Sequence, residues 1–314
     1  MTPTSRRILW SPDEGCIIIK ADKREFRVSR HLLAFHSPIF ASMFELATGN
    51  EVELFQDSSE EVSAFLSALL DSRYFPPPPA IVNFEDALCI LRLAHKYDVP
   101  FLLERSILHL ENIYPMTLAG SLADIVVQSP GGEFNFWAAD VFRKVGVIWL
   151  LPFTYFSISV EPWQNYRAQF PLEIQEMALR VQVANVQNSI RLLEFITGES
   201  ACYSKAHCEK HKQKTIRLFI QRCAEDFSLG INFLRQWDSL GWQKLREVLC
   251  AQCFQDARVR YQQKLDIMWN ELPGVCEMGG WDNLAKKRVD YFHDLGESMK
   301  QRSRDEYTRT TMAV

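Results

Sequence analysis

The chain lacks a long apolar run, an excess of positive charge and a glycine-rich loop, and each absence removes a class of protein. A membrane-crossing helix needs roughly 18 or more apolar residues in succession. The nearest approach, VGVIWLLPF at 145–153, is short and contains Pro152. The net charge of -4 and a pI near 6.0 argue against general affinity for nucleic acid, which needs a basic field. The 13 glycines form neither a P-loop nor a G-x-G-x-x-G run, and H-E-x-x-H is also missing, so phosphate-cradling and metalloprotease chemistry have no motif. The opening MTPTSRRILWSPDEG has two arginines but no apolar core of a signal peptide. Without an export signal, eight cysteines read as free thiols in a reducing compartment. The expected location is therefore cytoplasmic, nuclear or both.

What is present is an ordinary globular balance: 47% apolar and 24% charged residues over 314 positions. That is enough chain for one large domain or two of ordinary size, with a core that needs no disulfide. There is no Gly/Ser linker and no internal repeat.

The most informative stretch is EFRVSRHLLAFHSPIFASMF, residues 25–44. Phe26 and Val28 alternate with polar residues, which predicts a half-buried strand. Arg30 to Phe35 reads as a short helix. Ser37-Pro38 then starts a second helix, because a serine side chain caps free N–H groups and proline suits the first helical position. Phe40, Met43, Phe44 and Ala47 recur at helical spacing. Upstream, GCIIIKA at 15–21 predicts a strand from its β-branched run, and the turn Ala21 to Arg24 makes a hairpin with EFRVS. Downstream, EVELF at 51–55 alternates as a third strand. Ser58 with Glu61 fits a capping box, opening a helix with Val62, Phe65, Leu66, Leu69 and Leu70 on one face. After Pro76–Pro79, Asn83 and Asp86 cap a helix carrying Ala87, Ile90, Leu91 and Ala94. Asp98 and Pro100 start another, carrying Leu102, Leu103, Ile107 and Leu110 and closed by Pro115.

Two strands, two helices, one strand and three helices is the order of a BTB/POZ domain. The segments FRVSRHLLAFHSPIFASMF, LLDSRYFPPPP, ILRLAHKYDVPFLLERSILHL and YPMTL resemble BTB/POZ domain-containing proteins of mushroom-forming (basidiomycete) fungi. Leu91, Leu93, His95, Lys96 and Tyr97 carry that group's helix signature, while Ser29 stands where many members have histidine. The resemblance covers residues 13–118 and continues weakly beyond. It implies an α+β fold: a BTB/POZ domain over 13–118 with a small three-stranded sheet and flanking helices, then an all-α C-terminal region over 119–300. Residues 1–12 and 301–314 are expected to be flexible termini.

Beyond residue 118 the pattern is helical. Ser129 to Gly132 reads as a loop. Helices are expected over 134–145, stopped by Gly146, over 171–183 and 186–197, and over 204–223, 227–237, 239–257, 258–272 and 283–300. Pro273-Gly274 and Met278 to Gly280 read as turns. Trp137, Trp149, Trp163, Trp237, Trp242, Trp269 and Trp281 read as core anchors.

The cysteine–histidine group is the strongest chemical candidate. Cys208-x2-His211 and Cys250-x2-Cys253 offer four ligands of the kind zinc takes, with Cys202 and His207 as alternatives. Against it, Cys253 falls on an apolar stripe with Leu245 and Leu249, and Cys208 and His211 sit among Lys205, Lys210, Lys212 and Lys214. Free structural thiols are the preferred reading, so no metal, no cofactor and no catalytic residue is expected. Pro76–Pro79 reads as a stiff surface loop rather than a polyproline ligand, and the basic stretch 205–222 as a solvated helix face rather than a nucleic-acid contact.

The resemblance implies a non-enzymatic protein–protein interaction module, a scaffold expected to homodimerise through its BTB part. The alternative is a substrate adaptor of a cullin-type ubiquitin ligase, although no kelch, MATH or ankyrin signature accompanies it. A Cys/His hydrolase is the remaining alternative. Partners are expected to be proteins, a cullin among them on the adaptor reading, and neither nucleic acid nor membrane.

Overall fold

The computed structural model describes residues 7–8, 15–46, 49–54, 56–118, 130–161, 169–225, 232, 237 and 239–312. The expectations for most of the terminus 1–12, Ala47, Phe55, Ser129, Trp163 and most of the helix at 227–237 fall outside them. The chain divides into two compact units, Met1–Asn112 with Lys144–Gly146 and Val289–Val314, and Ile113–Arg143 with Val147–Arg288.

The first unit holds the β structure. Strands β2 (Cys16–Ala21) and β3 (Arg24–Ser29) form the expected antiparallel hairpin, with Ile17 opposite Val28 and Ile19 opposite Phe26. Asp22 takes the turn at φ 47, a left-handed conformation that aspartate tolerates better than most residues. Its carboxylate also accepts the Ser59 N–H at 2.8 Å. The alternation in β2 puts Ile17, Ile19 and Ala21 in the core. β4 (Glu51–Glu53) lies parallel to β2 on one side. A two-residue strand that the sequence does not announce, β1 (Arg7–Ile8), lies parallel to β3 on the other. The sheet order is β1-β3-β2-β4.

Helices α1 (Arg30–His36) and α2 (Pro38–Leu46) follow β3 directly. Ser29 is the cap of α1, its side chain accepting the Leu32 N–H at 3.3 Å. Ser37 caps α2 by accepting the Phe40 N–H at 3.0 Å. Ser58 and Glu61 close the expected capping box at α3 (Ser59–Leu70), and Asn83 accepts the Asp86 N–H at α4 (Phe84–Lys96). α5 (Pro100–Ile113) completes the set. The apolar stripes face inward as their spacing requires, with Val62, Phe65, Leu66, Ala87, Ile90, Leu91, Leu102, Ile107 and Leu110 all buried. The Phe40 ring sits at the centre, 4.4 Å from Tyr97 and 5.8 Å from Phe44 between centroids.

The described part of the second unit is helical. α6 (Gly132–Val145) ends at Gly146, whose φ of 86 is the left-handed turn expected of a helix stop. A 3-10 turn (Ile148–Leu150) leads into α7 (Leu151–Ser159), buried along its whole length. α8 (Leu172–Leu192) is one helix where two were expected, followed by the short α9 (Glu194–Thr197). α10 (Lys205–Glu225), α11 (Ser239–Val248) and α12 (Ala251–Val275) come next. The break between the last two falls at Leu249–Cys250, not at 257–258. Pro273-Gly274 is still helix rather than turn. α13 (Trp281–Met312) begins in this unit. Trp149 and Trp269 are buried anchors as expected, whereas Trp137, Trp237, Trp242 and Trp281 are only half-buried.

Candidate interaction face and candidate thiol site

Two features are candidates for binding or chemistry, one in each unit. In the first unit, α1 and the start of α2 hold large apolar side chains outward: Leu32 is 38% exposed, Phe35 62% and Ile39 41%. Leu32 and Phe35 lie three residues apart, hence on one face of α1. Local sequence forces this presentation. Ser29 starts α1, Ser37 ends it and starts α2, and Leu33, Phe40 and Phe44 anchor the pair inward. Arg30 ties α1 to the end of α2, donating to the Phe44 carbonyl oxygen, with its guanidinium 5.4 Å from the Phe44 ring centroid.

The Pro76–Pro79 loop is moored at its start. Arg105 donates to the Phe75 carbonyl oxygen at 2.7 Å, and the His109 ring nitrogen Nε2 bonds the Pro76 carbonyl oxygen at 2.8 Å.

In the second unit, four sulfurs converge. The Sγ atoms of Cys202, Cys208, Cys250 and Cys253 all lie within 4.8 Å of one another. Three segments bring them together. Cys202 is in the turn before α10, Cys208 is in the first turn of α10, and Cys250 caps α12 while Cys253 sits in its first turn. Cys208 and Cys253 are buried, Cys202 and Cys250 partly so. Backbone N–H groups point at the sulfurs: Ser204 donates to Cys202 at 3.4 Å, Cys250 to Cys208 at 3.3 Å and Cys253 to Cys250 at 3.5 Å. The Cys253 N–H holds the Cys250 thiol down, to about 7, while burial pushes the Cys208 and Cys253 thiols up.

Cys208 is buried, not on the solvated helix face expected for 205–222. The cluster keeps three of the four residues singled out by spacing and exchanges His211 for Cys202. His211 turns away along α10. Its ring lies 4.5 Å from that of His207, and it lines a groove of about 510 Å³ with Lys214, Leu218, Phe219 and Trp237. Burial, then the neighbouring His207 and lysine charges, depress its pKa. The i, i+3 spacing of Cys208 and His211 did not choose between His211 and Cys202, because only the turn before α10 folds Cys202 back. A Cys–His hydrolase pair gains no support, since the clustered cysteines take one another and backbone N–H groups as partners.

Among the described residues, no helix is long and apolar enough to cross a membrane. Residues 16–113 match the family model of the BTB/POZ domain. That part of the chain is a BTB/POZ domain, a protein–protein interaction module. No curated protein matches the chain.

Proposed function

We propose that the chain is a non-enzymatic scaffold of the kind found in mushroom-forming fungi, which pairs with a second copy of itself through the BTB/POZ domain. The outward Leu32, Phe35 and Ile39 carry this reading. Large apolar side chains left partly in water on two adjoining short helices cost free energy, up to about 1.5 kcal/mol each, and a two-fold partner would cover the same patch on both chains. The eight cysteines support a reducing location, cytoplasm or nucleus. Sedimentation velocity of the full chain across a micromolar range tests the pairing. A dimer that becomes a monomer on Phe35→Glu is the expected result. A parent protein that stays monomeric throughout overturns self-association and leaves other proteins as the partners.

The second reading is an adaptor for a cullin-type ubiquitin ligase. An adaptor needs two binding surfaces, and the groove between α10 and α11 offers one outside the BTB/POZ domain, flanked by the exposed Leu218 and Leu240. Purification of the tagged chain from its native cells, with the cullin sought by mass spectrometry, separates the two readings.

A further inference from the structure

We propose that Cys202, Cys208, Cys250 and Cys253 bind one zinc ion in a closed, structural site. The inference is independent of the pairing reading above and reverses the expectation drawn from spacing alone.

Distance is the first argument. A tetrahedral zinc with Zn–S bonds of about 2.3 Å places its sulfurs about 3.8 Å apart. Cys202 and Cys250 stand at 3.8 Å, and no pair among the four exceeds 4.8 Å. One ion at the centre reaches all four sulfurs with little movement. A disulfide needs an S–S bond of about 2.0 Å, joins only two of the four, and leaves the convergence of the other two unexplained.

Polarity is the second. A thiol is a weak acceptor and a thiolate a strong one, yet three of the four sulfurs receive a backbone N–H. Two helices also point their N-terminal ends at the cluster, since Cys208 lies in the first turn of Lys205–Glu225 and Cys250 and Cys253 open Ala251–Val275. The positive end of a helix favours a negative group. Zinc with four thiolates carries a net charge of 2−, and the N–H groups and helix ends around it have the matching sign.

Chemistry names the ion and the role. An all-sulfur set of this size selects a soft or borderline ion over calcium or magnesium. Four cysteines fill a tetrahedron, so no position stays open for water or substrate, which marks a structural rather than a catalytic zinc. Binding converts four thiols to thiolates and releases their protons. The ion would tie the turn before α10 to the start of α12, 48 residues later in the chain, and so hold α10, one wall of the groove, in place.

The test uses the full chain, purified without added metal or chelator. Elemental analysis is expected to find about one zinc per chain. After removal of that metal, cobalt(II) is expected to give the intense visible bands of a tetrahedral thiolate site. His211→Ala is expected to keep the full zinc content, and Cys202→Ser to lose more than about half of it. Should Cys202→Ser fail to fold, protection of the parent's thiols from alkylation, lost on chelation, reads the same site without a variant. Zinc below about one-tenth per chain overturns the proposal, as does a Cys202–Cys250 disulfide in freshly prepared protein. Another metal in stoichiometric amount, or zinc lost with His211→Ala and kept with Cys202→Ser, overturns the assignment of ion or ligands.

Discussion

Trp281 donates its indole N–H to the backbone carbonyl oxygen of Trp269 at 2.8 Å. That oxygen lies four residues before Pro273, which has no N–H to give it. The second tryptophan thus supplies the donor that the helix Ala251–Val275 lacks at this point. The two indoles also stack, with centroids 5.3 Å apart, and Trp269 donates onward to the Met116 carbonyl oxygen at 3.2 Å. Trp281→Phe keeps a ring but removes the donor, and is expected to cost about 1–2 kcal/mol. Pro273→Ala gives the helix its own N–H for the same oxygen. In that background Trp281→Phe should therefore cost less, by at least about 0.5 kcal/mol. A double-mutant cycle in denaturant measures the difference, and strictly additive costs would show that the two residues do not share the acceptor.

That contact also shows where sequence reading stops. Pro273-Gly274 reads as a turn because proline ends most helices, and nothing local reveals a donor eight residues ahead. Residues 151–159 carry no helical stripe because every side of that helix is buried, and periodicity detects only one-sided burial. The boundary at Leu249–Cys250 is not visible in the sequence because cysteine is not among the usual caps, although here its sulfur accepts the Cys253 N–H. By contrast Ser37, Ser58, Asn83 and the stripes of α3 to α5 were legible, because each effect acts within four residues. In the thiol cluster, Cys208, Cys250 and Cys253 were legible as candidates. Their convergence was not, since it depends on segments about 40 residues apart meeting in space.

The two serines that frame α1 differ in what they hold. Ser29 makes a single capping bond, accepting the Leu32 N–H near the surface. Ser37 is fully buried, accepts the Phe40 N–H and donates its hydroxyl to the Tyr97 carbonyl oxygen at 2.5 Å, sixty residues away. Ser29→Ala should cost about 1 kcal/mol, the usual loss of a cap. Ser37→Ala should cost about 2–3 kcal/mol, because a buried carbonyl loses its donor as well. Thermal unfolding of the two variants side by side tests the order, and equal shifts would remove the role given to the Ser37–Tyr97 bond.

Phe40 and Leu66 are both buried and come from different helices, α2 and α3. Each replaced by alanine is expected to lower the stability of the BTB/POZ unit by about 2–5 kcal/mol, the loss of transfer energy plus a cavity. Amide exchange reads this unit directly in the full chain. Protection at Ile17, Ile19, Phe26 and Val28, which pair across the hairpin, should fall together in both variants. Unchanged protection would mean that the rings and the sheet do not unfold as one unit.

Asp57 is buried and accepts from three side chains of one helix end. These are Arg92 at 2.9 Å, Lys96 at 2.7 Å and the Tyr97 hydroxyl. Arg92 also holds Glu61, at 2.6 Å. The carboxylate has no exposed side-chain surface, whereas Arg92 and Lys96 keep 25% and 35% of theirs in solvent. The cations therefore find water when Asp57 is removed, and Arg92 retains Glu61, but the Tyr97 hydroxyl is left in the core without its acceptor. Asp57→Ala should cost about 2–3 kcal/mol, below the 3–5 kcal/mol of a fully buried ion pair broken on one side. Lys96→Ala should cost less than about 1 kcal/mol, as for other solvent-reaching pairs. Asp57→Asn should fall between the two, because its amide oxygen still accepts from Tyr97 while the charge is gone. Denaturant midpoints of the three variants give the order directly. An Asp57→Ala protein within about 0.5 kcal/mol of the parent would show that this carboxylate does not hold the α3–α4 pair together.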